Sequence, residues 1–468
     1  MKLSWKWVIG AALAALVVVV IIGLVLVKPP QPLLLAASFA PAIISPNADG
    51  DDDITLIAYE LSRDANISLT FESEDGVIFN YRRDQPRTAG EYSVLFSGVV
   101  DGYTNEGETV QGEVLRRLMP DGTYTWRLSA VGDDGELQEL TGLLTLENGE
   151  GALPEIPEFT VFPQHFTPNQ DGISDRTAIN VGLSKSAELQ VYLIRDGMEP
   201  IFIPERIEGL NPDLPALRHL YDYDGGVDLG ADPPADGEYT LVALAQDAAG
   251  QQVQRTATIT IQDGGKPQAQ IVPQPSGATV IFEAAAYDDA YFTSADDRGE
   301  LIPQPQNPEG LSANSITMRV GDMLVFQLTV ENYSETPIRT HGSPPGTVYD
   351  WTQRASAFGE ADESGAWRVG IDCDTAASDY PWRWRLGTDD DLMQVTDLLN
   401  EDIVYYYLPP GARAVVWGAV RMSEIEARNP QNCWAGLIHE DVGTTTMNIN
   451  VGPRSILLVD PPGEQSDN

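Results

Sequence analysis

Short runs in which apolar and polar residues alternate fill most of the chain. Runs such as YTWRLSAVG from Tyr124 and YTLVALAQD from Tyr239 alternate with period two, which is typical of half-buried strands. From residue 278 onward, VIFEAAAY, ITMRVGDMLVFQLTVENYS, RAVVWGAVRM and TTTMNINV read as further strands. The 33 prolines and 42 glycines are scattered, as expected for turns between short strands. The pattern predicts an all-β protein.

The N-terminus departs from this pattern. Trp7 to Val27 is a run of 21 residues without a charge, about 31 Å long as a helix and enough to span a bilayer core. Lys2 and Lys6 precede the run, and positive charge on the short leading side keeps that side in the cytoplasm. We expect a cytoplasmic stub and signal anchor over 1–28, a stalk over 29–37, and the rest of the chain outside the cytoplasmic membrane, in the periplasm or at the cell exterior.

A cleaved signal peptide is the alternative to this anchor. The apolar region of a signal peptide is usually about 7–15 residues long and is followed closely by small residues at a cleavage site. Here the run is longer and Lys28-Pro29-Pro30 follows it, so that the small-residue stretch Ala36–Ala40 stands at a distance. These features favour an uncleaved anchor.

Two short words of sequence each occur twice and define an internal repeat. SPNADGDDD at 45–53 returns 122 residues later as TPNQDGISD at 167–175, and a strand-like run follows both copies. DGTYT at 121–125 returns as DGEYT at 236–240, and each copy opens an alternating strand. Two units of about 110 residues with strands every 8–12 residues are typical of immunoglobulin-like sandwiches.

Linkers rich in Gly and Pro separate these units from each other and from the last third of the chain. They lie at 149–157 and at 263–277. We therefore expect immunoglobulin-like domains at 38–148 and 159–262, a larger Trp-rich β-sandwich at 278–460, and a disordered tail at 461–468. In this interpretation the chain is a row of tandem sandwiches behind one transmembrane helix.

The repeated words resemble a known family. Asn-x-Asp-Gly-x-x-Asp before a strand, followed later by Asp-Gly-x-Tyr-Thr, is similar to the immunoglobulin-like domain at the C-terminus of flagellar hook-capping proteins and to the gliding-motility-associated type. YDYDGGVD at 221–228 is similar to the family's Trp-Asp-Gly-x-Asp segment, with tyrosine in place of tryptophan. The resemblance covers 38–262 and implies a sandwich fold without implying one function. The last third loosely resembles immunoglobulin-like modules of bacterial envelope proteins.

Charge limits the partners of the chain. The 28 basic and 70 acidic residues give a formal net charge of −42, and the first 27 residues contain no acid. Binding to phosphate groups depends on Lys and Arg, so this balance excludes nucleic acid as a partner. We expect the membrane as a partner through the helix, together with a protein or a cell-wall polysaccharide that the sequence does not identify.

The two Asn-x-Asp-Gly loops are candidates for calcium binding. Oxygen-bearing side chains at alternate positions around a glycine resemble half of a calcium loop. The predicted ligands are Asn47, Asp49, Asp53, Asn169, Asp171 and Asp175. The alternative is that Asn and Asp accept hydrogen bonds from their own backbone in Asx-turns, which requires no ion. No cofactor is required by either interpretation.

Only two cysteines occur, Cys373 and Cys433. In an oxidising compartment they are expected to pair, and the closed loop would add about 4 kcal/mol in the chain-entropy model. Two buried free thiols are the alternative.

Catalytic constellations are scarce in the sequence. It contains four histidines and no nucleophile elbow, zincin helix or phosphate-binding loop. A centre in which His341 or His439 meets Asp372 or Asp374 is the remaining enzymatic possibility, and we expect no enzyme.

An aromatic segment gives the alternative function. In Tyr380-Pro381-Trp382-Arg383-Trp384 the aromatic residues recur with period two, so a strand would place them on one face. If exposed, Tyr380, Trp382 and Trp384 would stack on sugar rings; if buried, they are sandwich core. The sequence thus predicts a non-catalytic, membrane-anchored structural or adhesion protein of the bacterial envelope, with carbohydrate or cell-wall binding through the third domain as the alternative.

Overall fold

A computed structural model describes residues 5–26, 31–206, 217–294, 298–306, 315–358, 363–396, 402–443 and 448–460. Within these ranges one α-helix, three short 3-10 helices and a long series of strands are present, which confirms the all-β prediction. The 3-10 helices are Val227–Leu229, Asp289–Tyr291 and Ala355–Phe358.

The α-helix, α1 (Trp5–Leu26), corresponds to the predicted anchor. Its side chains are described for Trp5 and for residues 7–20, and all of these are exposed. Within the described part of the chain, no helix is long and apolar enough to qualify as a membrane span. Lys2 lies outside the described residues, and so do residues 27–30, which include the end of the predicted anchor and the start of the predicted stalk.

The strands fall into three groups along the chain. The first group is β1 (Leu34–Ala40), β2 (Ile43–Ile44), β3 (Thr55–Leu61), β4 (Ala65–Ser73), β5 (Ile78–Arg87), β6 (Gly90–Phe96), β7 (Val99–Asp101), β8 (Glu113–Leu118), β9 (Gly122–Gly132) and β10 (Leu137–Leu146). The second group is β11 (Glu158–Phe162), β12 (His165–Phe166), β13 (Thr177–Gly182), β14 (Glu188–Ile194), β15 (Ile201–Phe202), β16 (Arg218–Tyr223), β17 (Gly237–Gln246) and β18 (Gln252–Ile261). The third group is β19 (Ala269–Val272), β20 (Val280–Ala285), β21 (Ser315–Arg319), β22 (Met323–Asn332), β23 (Ile338–Thr340), β24 (Val348–Asp350), β25 (Trp367–Cys373), β26 (Trp382–Arg385), β27 (Met393–Thr396), β28 (Val404–Leu408), β29 (Arg413–Arg421), β30 (Gln431–His439) and β31 (Val451–Val459).

By their internal contacts the residues form two compact units, and the boundary passes through the second predicted sandwich. One unit holds 1–160, 180–220 and 240–257; the other holds 161–179, 221–239 and 258–468. We call them the N-terminal unit and the C-terminal unit and describe each by itself.

The N-terminal unit contains the first sandwich. A three-stranded sheet, β1-β3-β6, faces a five-stranded sheet, β2-β10-β9-β4-β5, and Phe71, Phe96 and Trp126 lie in the core. Alternation in β3 and β4 is regular, with every second residue buried, as the period-two pattern predicts. Leu33 and Leu34 are buried in the same core. The predicted stalk over 29–37 is therefore too long, because these two leucines have apolar surface to bury.

A second set of strands in the N-terminal unit joins the two repeats. Strand β8 pairs with residues 252–254 of β18, so the edge of the first repeat continues into a strand of the second. Gln251 is fully buried beside this pairing, where its Nε2 donates to the carbonyl oxygens of Glu150 and Ala152 at 3.0 and 2.9 Å. The repeats are thus connected by backbone pairing in addition to the covalent linker.

The C-terminal unit contains the third sandwich. A five-stranded sheet, β19-β22-β29-β24 with β20 beside β22, packs against an eight-stranded sheet, β21-β31-β30-β25-β23-β28-β27 with β26 beside β25. The core includes Phe326, Tyr349, Trp382 and Trp384. Strand β19 lies inside the predicted linker 263–277, because Ala269 and Ile271 are apolar residues that pack into this core. The domain therefore begins earlier than the predicted residue 278.

The second repeated word has the same role in both repeats. The hydroxyl groups of Tyr124 and Tyr239 donate to the carbonyl oxygens of Pro120 and Ala235, four residues upstream, at 2.6 and 2.7 Å. The carboxylate that begins each word, from Asp121 or Asp236, accepts two backbone N–H groups at the end of its repeat, at 27 and 28 residues' distance along the chain. A hydroxyl bonded to the upstream backbone resembles the tyrosine corner of immunoglobulin-like sandwiches.

Candidate binding site

The two Asn-x-Asp-Gly loops are closed by their own side chains. In the first loop the carboxylate of Asp53 accepts the N–H groups of Asn47, Ala48 and Gly50 at 2.8–3.0 Å. Asn47 Oδ1 accepts the N–H of Asp49 at 2.9 Å. These are the hydrogen bonds of the Asx-turn alternative, and they explain why Asn and Asp occur at these spacings.

The second loop repeats this network. The carboxylate of Asp175 accepts the N–H groups of Asn169, Asp171 and Gly172 at 3.4, 3.1 and 2.6 Å. Asn169 Oδ1 accepts the N–H of Asp171 at 3.0 Å, and Asp171 Oδ1 accepts the N–H of Ile173 at 2.8 Å. The loop is therefore folded by local interactions, like its counterpart.

The surroundings of the two loops differ. In the first loop Ala48, Asp49 and Gly50 are exposed. In the second loop Asp171 is only 6% exposed, because the loop packs on the third sandwich within the C-terminal unit. We call this contact the loop junction.

Three side chains of the third sandwich form the loop junction. The hydroxyl of Tyr407 donates to Asp171 Oδ2 at 2.8 Å, and Arg339 Nε donates to the carbonyl oxygen of Asp171 at 2.6 Å. His439 Nε2 lies 2.7 Å from the carbonyl oxygen of Gln170. A Cβ on Gly172 would lie 2.0 Å from the carbonyl oxygen of Ser364, so the two backbones meet where only glycine fits.

Burial at the loop junction shifts the titration of its groups. Desolvation, reinforced by the carboxylate of Asp171, raises the pKa of Asp175 to about 6 from 3.8, and desolvation raises the pKa of Asp171 as well. In the exposed loop desolvation also acts on Asp53, but three N–H donors together outweigh it and lower the pKa of that carboxyl. Burial lowers the pKa of His439 to about 4, so this ring is neutral at pH 7.

The predicted calcium ligands are the side chains that close the loops. Both carboxylate oxygens of Asp53 and of Asp175 already accept backbone N–H groups. Among the described residues, no group of three or more His, Cys, Asp or Glu side chains is arranged to hold a metal ion. The hydrogen bonds support the turn alternative, and calcium binding stays a prediction.

A groove of about 530 Å³ lies beside the loop junction, within the C-terminal unit. One wall is the second loop with Asn169, Asp171 and Ile173, and the other is the β27–β28 hairpin of the third sandwich. The hairpin contributes Met393, Val395 and Thr396 from β27 and Tyr405 and Tyr407 from β28. The lining is completed by Thr167, Ser174, Asp263 and Pro337. A concave, largely apolar site with a few oriented polar groups is the usual form of a ligand site.

The aromatic segment does not form such a site. Trp382 and Trp384 are 1% and 0% exposed and lie in the core of the third sandwich. Trp384 stacks edge-on against Phe326 and Tyr349, and its Nε1 donates to the carbonyl oxygen of Thr347. The prediction that these rings stack on sugars is therefore wrong, because the strand turns its tryptophan face inward and Arg383 and Arg385 outward.

Tyr380 lies before this strand. Its ring packs over Gly370 and Gly436, which face each other across β25 and β30, and its hydroxyl accepts the N–H of Asn450 at 3.1 Å. A Cβ on Gly436 would lie 2.5 Å from the ring. Tyr380 is thus half-buried against the sheet rather than aligned with the tryptophans for ligand contact.

The cysteines and histidines have structural surroundings. Cys373 and Cys433 lie opposite each other on β25 and β30 and are joined by a disulfide bond. His341 Nδ1 lies 3.5 Å from Glu363 Oε1, so the carboxylate beside it is neither Asp372 nor Asp374. His439 stacks on Trp367 with ring centroids 4.4 Å apart and belongs to the loop junction.

The groove residues of the β27–β28 hairpin could not be predicted from the sequence, because no motif contains them. Met393, Val395, Tyr405 and Tyr407 come from MQVT and VYYYL, two short runs of residues with strong β propensity. Their acidic flanks were the available signal, since six acids and no base lie between Thr388 and Asp402.

Fold and groove together define an all-β protein of successive sandwich domains with a groove in its C-terminal unit. No family model matches the sequence, and no curated protein matches it. Among solved structures the chain is similar to the calcium-stabilised adhesin of an ice-binding Antarctic bacterium, at 12% identity and TM-score 0.19 over 92% of this chain and 74% of that one. It is similar to E. coli alpha-2-macroglobulin at 11% identity and TM-score 0.17, over 92% of this chain and 23% of that one. It is also similar to Bacteroides ovatus SGBP-B of a mixed-linkage glucan utilization locus, solved with a heptasaccharide, at 12% identity and TM-score 0.15, over 92% and 71%. TM-scores this low are not evidence of a shared function.

Proposed function

We propose that the chain is a non-catalytic, membrane-anchored envelope protein that binds a partner through the groove of its C-terminal unit. The observation that carries this proposal is the groove itself. Exposed Met393 and Val395 and half-buried Tyr405 and Tyr407 line about 530 Å³ next to a buried hydrogen-bond network. Contiguous exposed apolar surface on a soluble domain marks interaction sites. Binding without turnover accords with the buried, neutral state of His439.

The anchor in this proposal is α1. The described side chains of α1 are exposed, and all are apolar apart from the indole N–H groups of its two tryptophans. Burial of the helix in lipid would remove this apolar surface from water. Tryptophans at the start of the helix, Trp5 and Trp7, suit the bilayer interface. Lys2 and Lys6 place the short N-terminal side in the cytoplasm and the sandwiches outside.

Along the sequence the two repeats lie between the anchor and the third sandwich, and in this proposal they act as spacers, with the loop of the second repeat also forming one wall of the groove. They belong, we propose, to the immunoglobulin-like family of the hook-capping type. Support comes from the matched Asx loops and from the matched hydroxyl bonds of Tyr124 and Tyr239. The family's domains serve unrelated roles, so the likeness supports the fold of the spacer and leaves the partner to the groove.

Site-specific photocrosslinking in intact cells tests the proposal. A photoreactive phenylalanine analogue replaces Val395, which is 46% exposed in the groove, or Leu143, which is 62% exposed on the first sandwich and serves as the matched control. We expect adducts from position 395, absent at position 143, in the membrane fraction. Equal crosslinking at both positions, or recovery of the full chain from the cytosol, contradicts the proposal.

A further inference from the structure

Strand β27 lies at the edge of its sheet in the part of the chain that the structure describes. It is the last strand in the order of the eight-stranded sheet, and within the described residues it pairs with β28 alone. All four of its residues are exposed. Natural edge strands are blunted by short length, by Lys or Pro, by a bulge or by a covering segment. Strand β27 is short, at four residues, and its sequence MQVT carries neither Lys nor Pro. Within the described ranges no other strand pairs with its outer row of N–H and C=O groups, and that row could pair with an added strand.

The groove lies along this edge and is patterned to receive side chains. The register pairs Met393 with Tyr407 and Val395 with Tyr405, so these four side chains share one face of the hairpin. Together with Thr396, they are the hairpin residues that line the groove. A strand added to β27 would turn every second side chain toward this face, because the side chains of a strand alternate.

The charge around β27 indicates which kind of partner strand could bind there. Among the described residues, the exposed Asp389, Asp390 and Asp391 precede β27 and the exposed Asp402 precedes β28. Asp389 is ion-paired with Arg385. An acidic partner strand would be repelled, and a second copy of this chain would bring its own acidic edge. Lys or Arg side chains beside an added strand would be attracted instead. Aliphatic lining with a backbone edge favours a peptide over a glycan, since the Tyr407 hydroxyl is already bonded to Asp171.

We propose that β27 binds an extended, basic segment of a partner protein as an additional strand, with aliphatic side chains of the segment in the groove. This inference rests on the proposed function and specifies its partner. Addition of a peptide strand to a free sheet edge combines affinity from main-chain hydrogen bonds with selectivity from alternate side-chain pockets. Nearby carboxylates add selectivity for Lys and Arg and make binding sensitive to salt.

The test measures fluorescence anisotropy of a labelled heptapeptide, Lys-Val-Lys-Val-Lys-Val-Lys, titrated with the full chain in nonionic detergent micelles. We expect saturable binding that weakens as salt increases. Methylating the valine amides of the peptide removes strand hydrogen bonds and keeps the charge and most of the side-chain surface, and should weaken binding at least about tenfold. Val395→Lys should weaken binding at least as much, whereas Leu143→Lys on the first sandwich leaves it unchanged.

Val395→Thr is the control for misfolding, because threonine keeps the strand propensity of valine. This variant should weaken binding less than Val395→Lys. Equal affinity for the methylated and unmethylated peptides overturns strand addition and indicates charge attraction alone. The chain could instead bind cellohexaose or chitohexaose and not the peptide, with sugar binding weakened by Val395→Lys. That result overturns the peptide inference and leaves the groove as a binding site. Absence of position-specific crosslinking at Val395 in cells would instead remove the proposed function itself.

Discussion

Replacing Tyr407 by phenylalanine removes one hydroxyl from the loop junction and little else. That hydroxyl donates to Asp171 Oδ2 at 2.8 Å, and Asp171 is 6% exposed. A hydrogen bond to a buried charged group contributes about 1.5–3 kcal/mol, so we expect the C-terminal unit to lose about 2 kcal/mol of unfolding free energy. With an m-value of about 2 kcal/mol/M, the urea midpoint should fall by roughly 1 M.

The loss should depend on pH in a defined direction. Desolvation raises the pKa of Asp171 above 3.8, and the bond from Tyr407 opposes that rise. Without the hydroxyl the pKa of folded Asp171 rises further, so the ionised form costs more stability at high pH. A group whose folded pKa is raised contributes stability that is present below the unfolded pKa and lost as pH increases. The difference between wild type and Tyr407→Phe should therefore be larger at pH 8 than at pH 4.

Tryptophan fluorescence during urea unfolding of the full chain in detergent micelles measures this effect, because six of the nine tryptophans lie between Trp351 and Trp434. Tyr223→Phe is the matched control. Tyr223 is 5% exposed in the same unit, and its hydroxyl has no hydrogen-bond partner among the described residues, so its removal should cost little. Equal midpoints for Tyr407→Phe and Tyr223→Phe, or a loss independent of pH, would refute the role assigned to the loop junction.

Three further predictions concern the loops and the groups around them. Gly172→Ala should destabilise the C-terminal unit by more than about 2 kcal/mol, because the new Cβ would lie 2.0 Å from the carbonyl oxygen of Ser364. Gly50→Ala has a similar positive φ but open space around the new Cβ, and it should cost only about 1 kcal/mol. Similar shifts of the urea midpoint for the two variants would contradict this. Wild type should have a higher free energy of unfolding than His439→Gln, and this difference should fall as pH drops from 6.5 towards 4, by about 2 kcal/mol at pH 5. The reason is that the histidine of the unfolded chain takes up a proton that the buried ring does not. A difference that stays constant over pH 5–8 in urea titrations would refute the burial argument. Thermal melting of the full chain should show the same midpoints with EDTA and with added calcium, since the loop oxygens are occupied by N–H donors, and a midpoint raised by calcium would restore the cation site.

Local chemistry could be predicted from the sequence, and long-range contact could not. Asx-turn bonds span two to six residues, so the spacing of Asn47, Asp49 and Asp53 was sufficient to indicate them. Alternation likewise predicted β9 and β17, and the strand-like runs that follow the two Asn-x-Asp-Gly loops correspond to β3 and β13. The bond between Asp171 and Tyr407 joins residues 236 positions apart, and neither belongs to a pattern that indicates the other.

Aromatic periodicity predicted a strand correctly but did not decide which face is buried. Alternation places Trp382 and Trp384 on one side of β26, and a stripe of this kind fits a sugar platform or a core equally well. The deciding partners, Phe326 and Tyr349, are supplied by other strands. Leu33 and Leu34 were assigned to a stalk for the same reason, since the strands that bury them follow later in the sequence.

The two Asn-x-Asp-Gly loops fold in the same way but have different surroundings. Both close the same backbone bonds, from Ser45 to Asp52 and from Thr167 to Ser174, each at 2.8 Å, although only the second is buried. The second loop therefore presents the carbonyl oxygens of Gln170 and Asp171 in a conformation that its own residues already fix. The loop therefore loses little conformational entropy when it packs on the third sandwich. Most of the free energy of the hydrogen bonds from Arg339 and Tyr407 then stabilises this contact. The groove is bounded by that loop, so weakening the loop junction should loosen one wall of the groove while β27, on the other wall, keeps its pairing with β28.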